Sequence, residues 1–341
     1  MSPNSTLPKR EPLLDLLRWS AALLVAFSHW ILEVPHLFNS GLPNLLSPIA
    51  REGGVGVPIF FIVSGYVISL TAARKASGPR FAYARFVRLF PGLLISMLVV
   101  LVVGNRFITP YSQPLESFLS SVSLTYTFVD IQPLTSVLWT LIVEIKFYFA
   151  ITLILLIKRD IFQKPIWIIS LLFLLLILEE TNLLGIFSYF NNQLSGCIKL
   201  FLLGISLHFF TRLIKTRIVM AVGFGALSLI YVWEILGSDK FGIGDRMISL
   251  AIVLIVCSSF VQFPNRLATL ANLLGLASYP IYLVHTHLGT VLINISNARI
   301  DNATFVFLGV GVILLTLLCV MINLFTEQPL QKALMQINRL D

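Results

Sequence analysis

The chain has 341 residues, of which 57% are hydrophobic and only 12% charged, and its formal net charge is +8. With a mean hydropathy of +0.90, this balance excludes a soluble globular domain of such length and places the protein in a membrane. The basic excess does not indicate nucleic acid. The cations sit in short loops between apolar runs, where a membrane protein holds them against its cytoplasmic face.

The apolar runs predict an all-α integral membrane protein of about ten transmembrane helices, over roughly 13–33, 55–73, 89–108, 134–157, 165–180, 193–211, 217–236, 247–263, 271–294 and 303–325. Both termini are expected in the cytoplasm. Sixteen basic residues then lie inside, five (Arg51, Arg106, Lys240, Arg246 and Arg299) lie outside, and Arg18, Lys146 and Lys199 fall within spans. One missed or added helix would exchange every later loop, so this asymmetry supports the count. Residues 1–341 read as a single membrane domain with no soluble accessory domain. Lys9 and Arg10 precede a run of spanning length that ends without a small-residue cleavage site, which reads as a helix and not as a cleaved signal. The longest outside loop, about 109–133, is rich in Ser, Thr and Pro and is a candidate lid or short re-entrant segment. The absence of an internal repeat counts against a secondary transporter.

The first segment sets Arg18 and His29 into an otherwise apolar run, with Asp15 three residues before Arg18. Eleven steps of about 100° return to nearly the same face, roughly 16 Å along the axis. Ionisable groups on one stripe of a membrane helix mark a functional site by default. His29 titrates near neutrality and can take a proton from a hydroxyl. Arg18 can bind a phosphate or an oxyanion, or it can pair with Asp15.

The second segment begins glycine-rich, GGVGVPIFFIVSGYVIS over 53–69. FAYARFVRLFP over 81–91 places Arg85 and Arg88 on one face at the expected start of the third, suited to phosphates or to head-group anchoring. LWTLIVEIKFYF over 138–149 puts Glu144 and Tyr148 one turn apart; the carboxylate can orient His29, hold an acceptor or pair with Arg18 or Lys146. SYPIYLVH over 278–285 ends on His285, and His287 follows two residues on, a spacing that sets the two on different faces and argues against a metal site. TEQP over 326–329 brings Glu327, which is expected to cap or pair without chemistry. His36 and His208 read as interfacial residues, and Cys197, Cys257 and Cys319 as small core residues.

In this order and spacing the five patches resemble the membrane-bound acyltransferase-3 family, from the first helix to the C-terminal region. Trp19 stands where a small glycine is usual, VGVP at 55–58 lacks an acidic residue, and Ile145 follows Glu144. The resemblance implies an integral O-acyltransferase of the bacterial inner membrane. It would move an acyl group, by default acetyl, from acetyl-CoA as co-substrate to a sugar hydroxyl of a surface polysaccharide or other glycoconjugate. It implies His29, Arg18 and Glu144 as the catalytic group, Arg85 and Arg88 as the coenzyme A site, and Tyr148 and His285 as substrate contacts. No metal and no nucleic-acid partner are expected. The rival reading is a transporter or flippase for a lipid-linked glycan, with the polar residues lining its path.

Overall fold

The computed structural model describes residues 11–32, 51–75, 77–180, 192–214, 216–236, 242–296 and 303–337. The regular elements among these residues are all helices, with no strand. The helices are α1 (Pro12–Leu32), α2 (Gly56–Lys75), α3 (Gly78–Phe107), α4 (Pro114–Ser123), α5 (Leu138–Ile157), α6 (Pro165–Glu180), α7 (Asn192–Leu213), α8 (Ile218–Leu236), α9 (Ile243–Ser258), α10 (Asn265–Ser296), α11 (Ala303–Ile322) and α12 (Gln328–Ile337). A π-helical turn, Asn323–Glu327, joins the last two.

Local sequence explains the starts. Pro12, Pro58, Pro79, Pro114 and Pro165 each lie in the first turn of a helix, where a missing N–H costs nothing and the fixed φ is already helical. Pro79 has a functional consequence. It starts α3 eleven residues before the expected boundary at 89, so Arg85 and Arg88 sit two turns inside the helix and not at its mouth. Pro91 and Pro280 lie inside α3 and α10, the kind of position that kinks a helix.

All ten expected segments fall on helices. Among the described residues, five stretches are long and apolar enough to cross a membrane: Gly53–Arg74, Gly78–Phe107, Leu138–Ile157, Asn265–Leu292 and Gly309–Gln336. Large apolar side chains face outward, including Ile157 (88% exposed), Trp233 (78%) and Leu229 (71%). Water would not tolerate that surface, and lipid does. The loop between α3 and α5 carries α4, a short helix with one polar face.

Bare backbone brings the central helices together, as in other membrane bundles. A Cβ on Gly65 of α2 would lie 2.1 Å from the Phe201 carbonyl of α7, and one on Gly204 of α7 would lie 2.0 Å from the Ile62 carbonyl of α2. Gly53 and Gly56 meet the backbone of α1 in the same way. On α10, Gly275 receives Asp15 and Gly289 receives Trp30. The two pairs follow the same chain direction at nearly the same spacing, 15 residues on α1 and 14 on α10, so the two helices run parallel, and they form the most extensive helix pair of the fold.

His208 is 6% exposed and packs edge-on to Tyr66 and Phe209 between helices. One expectation is corrected here. Lys146 is exposed on the outer face of α5 and faces away from Glu144, because two residues turn a helix by about 200°. His36 lies outside the described residues.

Candidate active site

A cavity of about 330 Å³ opens between α1, α2, α3, α5, α10 and the π-turn. Arg18, Arg85, Arg88 and Glu144 all line it, joined by Asp15 and Glu327, with Glu11, Arg74 and Gln331 also on its wall. Residues as far apart in the chain as Asp15 and Glu327 therefore meet at one place.

Each charged group has a different setting. Arg85 is buried, with its guanidinium 5.5 Å from the ring centres of both Phe81 and Tyr148 and its Nη2 donating to Thr71 Oγ1. Its Nε is buried without a hydrogen-bond partner. The aromatic faces offset part of the cost of holding this cation out of water. Among the described residues, neither the Arg18 nor the Arg88 guanidinium forms a hydrogen bond or ion pair, so the salt bridges from Arg18 to Asp15 or Glu144 that the sequence allows are not formed. Glu144 Oε1 accepts from Tyr148 Oη at 2.5 Å and from Ser64 Oγ at 3.1 Å. Tyr148 is thus tied to Glu144 and stacked near Arg85, and does not itself line the cavity. Ser64 belongs to the SG motif of α2 and was the signal available in sequence for this contact.

His29 and His285 lie elsewhere. His29 Nδ1 is 2.7 Å from His285 Nε2, and their ring planes are within 7° of parallel. His285 is fully buried, and its Nδ1 is 2.8 Å from the Tyr282 carbonyl. Trp30 Nε1 donates to the His285 carbonyl at 2.7 Å. Neither histidine lines the cavity, but Tyr282 does. Its hydroxyl accepts from Thr140 at 3.0 Å, and Phe60 packs edge-on to its ring. Tyr282 therefore stands between the arginine-lined cavity and the histidine pair. The ring of His285, expected as a substrate contact, meets His29 and is not part of the cavity wall.

Three placements were not legible in the sequence. Tyr282 lies inside a quoted patch but carries no charge to draw attention. Glu327 is 2% exposed, with Oε2 bonded to Asn323 Nδ2 at 2.6 Å and Oε1 buried without a partner; the π-turn that aims it has no simple sequence signature. On the far side, the Tyr111 hydroxyl donates to the Leu134 carbonyl at 2.8 Å and accepts from His287 Nε2 at 2.7 Å. Burial pushes the Tyr111 phenol up to about 12, so it remains a neutral donor that pins the α3–α5 loop to α10.

Fold and site together define a helical membrane protein with an arginine-lined cavity and a buried histidine pair. Residues 12–324 match the family described as an acyltransferase domain, acyltransferase-3, and the chain belongs to that family. It is 31% identical over 167 residues to nodulation protein 10 of Rhizobium leguminosarum bv. viciae, covering 42% of this chain and 44% of that one. It is 33% identical over 94 residues to acyltransferase MdmB of Streptomyces mycarofaciens, covering 28% and 24%. It is also 37% identical over 102 residues to an O-acetyl transferase of Shigella phage Sf6, covering 28% and 29%. The chain thus spans less than half the length of each of these relatives. No solved structure matches it.

Proposed function

We propose that this protein is a membrane O-acyltransferase that takes an acyl group, by default acetyl, from acyl-coenzyme A and transfers it to a sugar hydroxyl of a surface polysaccharide or other glycoconjugate. The observation that carries the reading is the cavity, where four arginines converge and, among the described residues, neither the Arg18 nor the Arg88 guanidinium is engaged in a hydrogen bond or ion pair. Such groups suit the phosphates of coenzyme A. Membership of an acyltransferase family and relatives named acyltransferase and O-acetyl transferase support the reaction class.

In this reading the membrane is the bacterial inner membrane, crossed ten times, with the cavity facing the cytoplasm. The parallel packing of α1 and α10 supports it, because the first and ninth spans of an alternating chain run the same way. The donor enters among Arg74, Arg88 and Gln331, and its thioester reaches His29 past Tyr282. His29 removes the acceptor hydroxyl proton as the oxygen bonds to the thioester carbonyl carbon. The C–S bond then breaks, and the thiolate leaves with the proton held by the imidazolium. Arg18 and Glu144, both on the cavity wall, hold and orient the donor end of the reaction. A covalent acyl-histidine on His29 is the variant of this scheme, with the same groups and the same proton balance.

Calorimetry on the solubilised protein with coenzyme A tests it. The parent binds, and Arg88→Ala weakens binding about 10- to 100-fold, the loss expected for a charge-assisted phosphate contact of roughly 1.5–3 kcal/mol. No binding by the parent would contradict the proposal and favour the glycan transporter.

A further inference from the structure

We propose that His285 is a positioning residue that fixes the proton of His29 on Nδ1 and so makes Nε2 its basic nitrogen. The inference rests on the reading of His29 as general base and adds which atom acts and what holds it.

The assignment follows from the donors and acceptors between the two rings, with His29 neutral as its role of general base requires. The Tyr282 carbonyl can only accept, so the 2.8 Å contact requires a proton on His285 Nδ1. A neutral His285 then has a lone pair on Nε2. The 2.7 Å contact to His29 therefore requires the proton between the rings to belong to His29 Nδ1. The neutral His29 is left with its lone pair on Nε2. A doubly protonated His285 is the alternative way to fill these bonds, and its full burial opposes that charge.

When Nε2 takes the acceptor proton, the Nδ1–H that faces His285 becomes more acidic and its hydrogen bond strengthens. His285 thus does for His29 what a buried carboxylate does in a Ser–His–Asp triad, orienting the ring and setting its tautomer. It does so without bringing a second charge into the membrane. The support is rigid. Trp30 Nε1 holds the His285 carbonyl at 2.7 Å, and the notch at Gly289 seats that indole. Eleven residues of helix from Arg18 bring His29 to this partner, which explains why a histidine with no place in the cavity wall still shares its helix face with an arginine that has one.

Nitrogen NMR of ¹⁵N-histidine-labelled protein in lipid nanodiscs tests the assignment, since protonated and unprotonated ring nitrogens resonate far apart. Signals are assigned by replacing the five histidines singly. In the parent, His29 is expected to carry its proton on Nδ1, with Nε2 bare. His285→Gln, whose amide oxygen can still accept, keeps that tautomer and most of the activity. His285→Leu shifts His29 toward the Nε2–H form and lowers kcat with acetyl-CoA roughly 10- to 100-fold, within the range of general-base catalysis, leaving the acetyl-CoA KM unchanged. A parent spectrum with the proton on His29 Nε2 overturns the inference, whether or not the variants fold. So does a His285→Leu protein with the parental tautomer and kcat. If instead the tautomers are as stated but His29→Ala still transfers acyl groups, the function reading fails and the pairing stands.

Discussion

Gly289 faces the indole of Trp30 so closely that an added Cβ would lie 2.0 Å from Nε1. Trp30 itself is fully buried and cannot retreat. Gly289→Ala should therefore push the indole off the His285 carbonyl and lower stability by about 1–3 kcal/mol, the usual result of overpacking. Thermal unfolding followed by tryptophan fluorescence reads this directly, and an unchanged Tm would contradict the packing described. The opposite logic applies at Lys146, which faces outward. Lys146→Gln should leave coenzyme A binding within about twofold of the parent, as expected for a surface change away from the site. A loss of binding would mean that Lys146 reaches the cavity. At this level sequence reading did well with charges and poorly with neutral groups. Arg18, Arg85, Arg88 and Glu144 stood out because ionisable residues are expensive in lipid. Thr140 and Tyr282 did not, because a hydroxyl in an apolar run has no such signature and only its neighbours in space give it a role.

The helix pairs that build the site depend on glycine. Gly65 and Gly204 each face carbonyl oxygens of the opposite helix, so the close approach of α2 and α7 leaves no room for a side chain at either position. Gly65→Leu or Gly204→Leu should separate the two helices and reduce the amount of folded protein recovered in detergent, measured by monodisperse yield and Tm; recovery at the parental level would argue against this crossing. Because α2 also carries Ser64 to Glu144, the same change should disturb the cavity wall. Periodicity and apolar run length located these helices in the sequence, but not their starts. The third was expected at 89 and begins at Gly78, because Arg80, Arg85 and Arg88 made its first three turns look like a loop. The π-turn at Asn323–Glu327 was invisible for a related reason: an inserted residue in a helix changes which side chains face inward without changing composition.

Across the molecule, charge and apolar surface are distributed as a bilayer would sort them. At one end of α5, Lys158 Nζ sits 3.2 Å from the ring centre of Trp167, and Lys164 pairs with Asp160 at 2.6 Å in an exposed bridge. An aromatic ring beside lysines is the usual make-up of a membrane–water boundary. At the other end, Phe128 is 87% exposed. Single cysteines placed at Lys164 and Phe128 should be labelled from opposite sides of the membrane by an impermeant thiol reagent, with Lys164 on the cytoplasmic side. Labelling of both from one side would contradict the topology. The charge asymmetry of the loops is the sequence basis for this expected topology. The depth of the cavity, and the separation of the histidine pair from it by Tyr282, could be read only once α1, α2, α5 and α10 were placed together.

The central claim is that His29 performs acyl transfer fed from the arginine-lined cavity. The most direct measurement compares O-acetyl groups on the surface glycans of cells carrying the parent, His29→Ala or no copy of the protein, by mass spectrometry, with membrane levels of the variant checked in parallel. The account predicts that His29→Ala matches the strain lacking the protein while inserting at the parental level. O-acetylation at the parental level in the His29→Ala strain would contradict it.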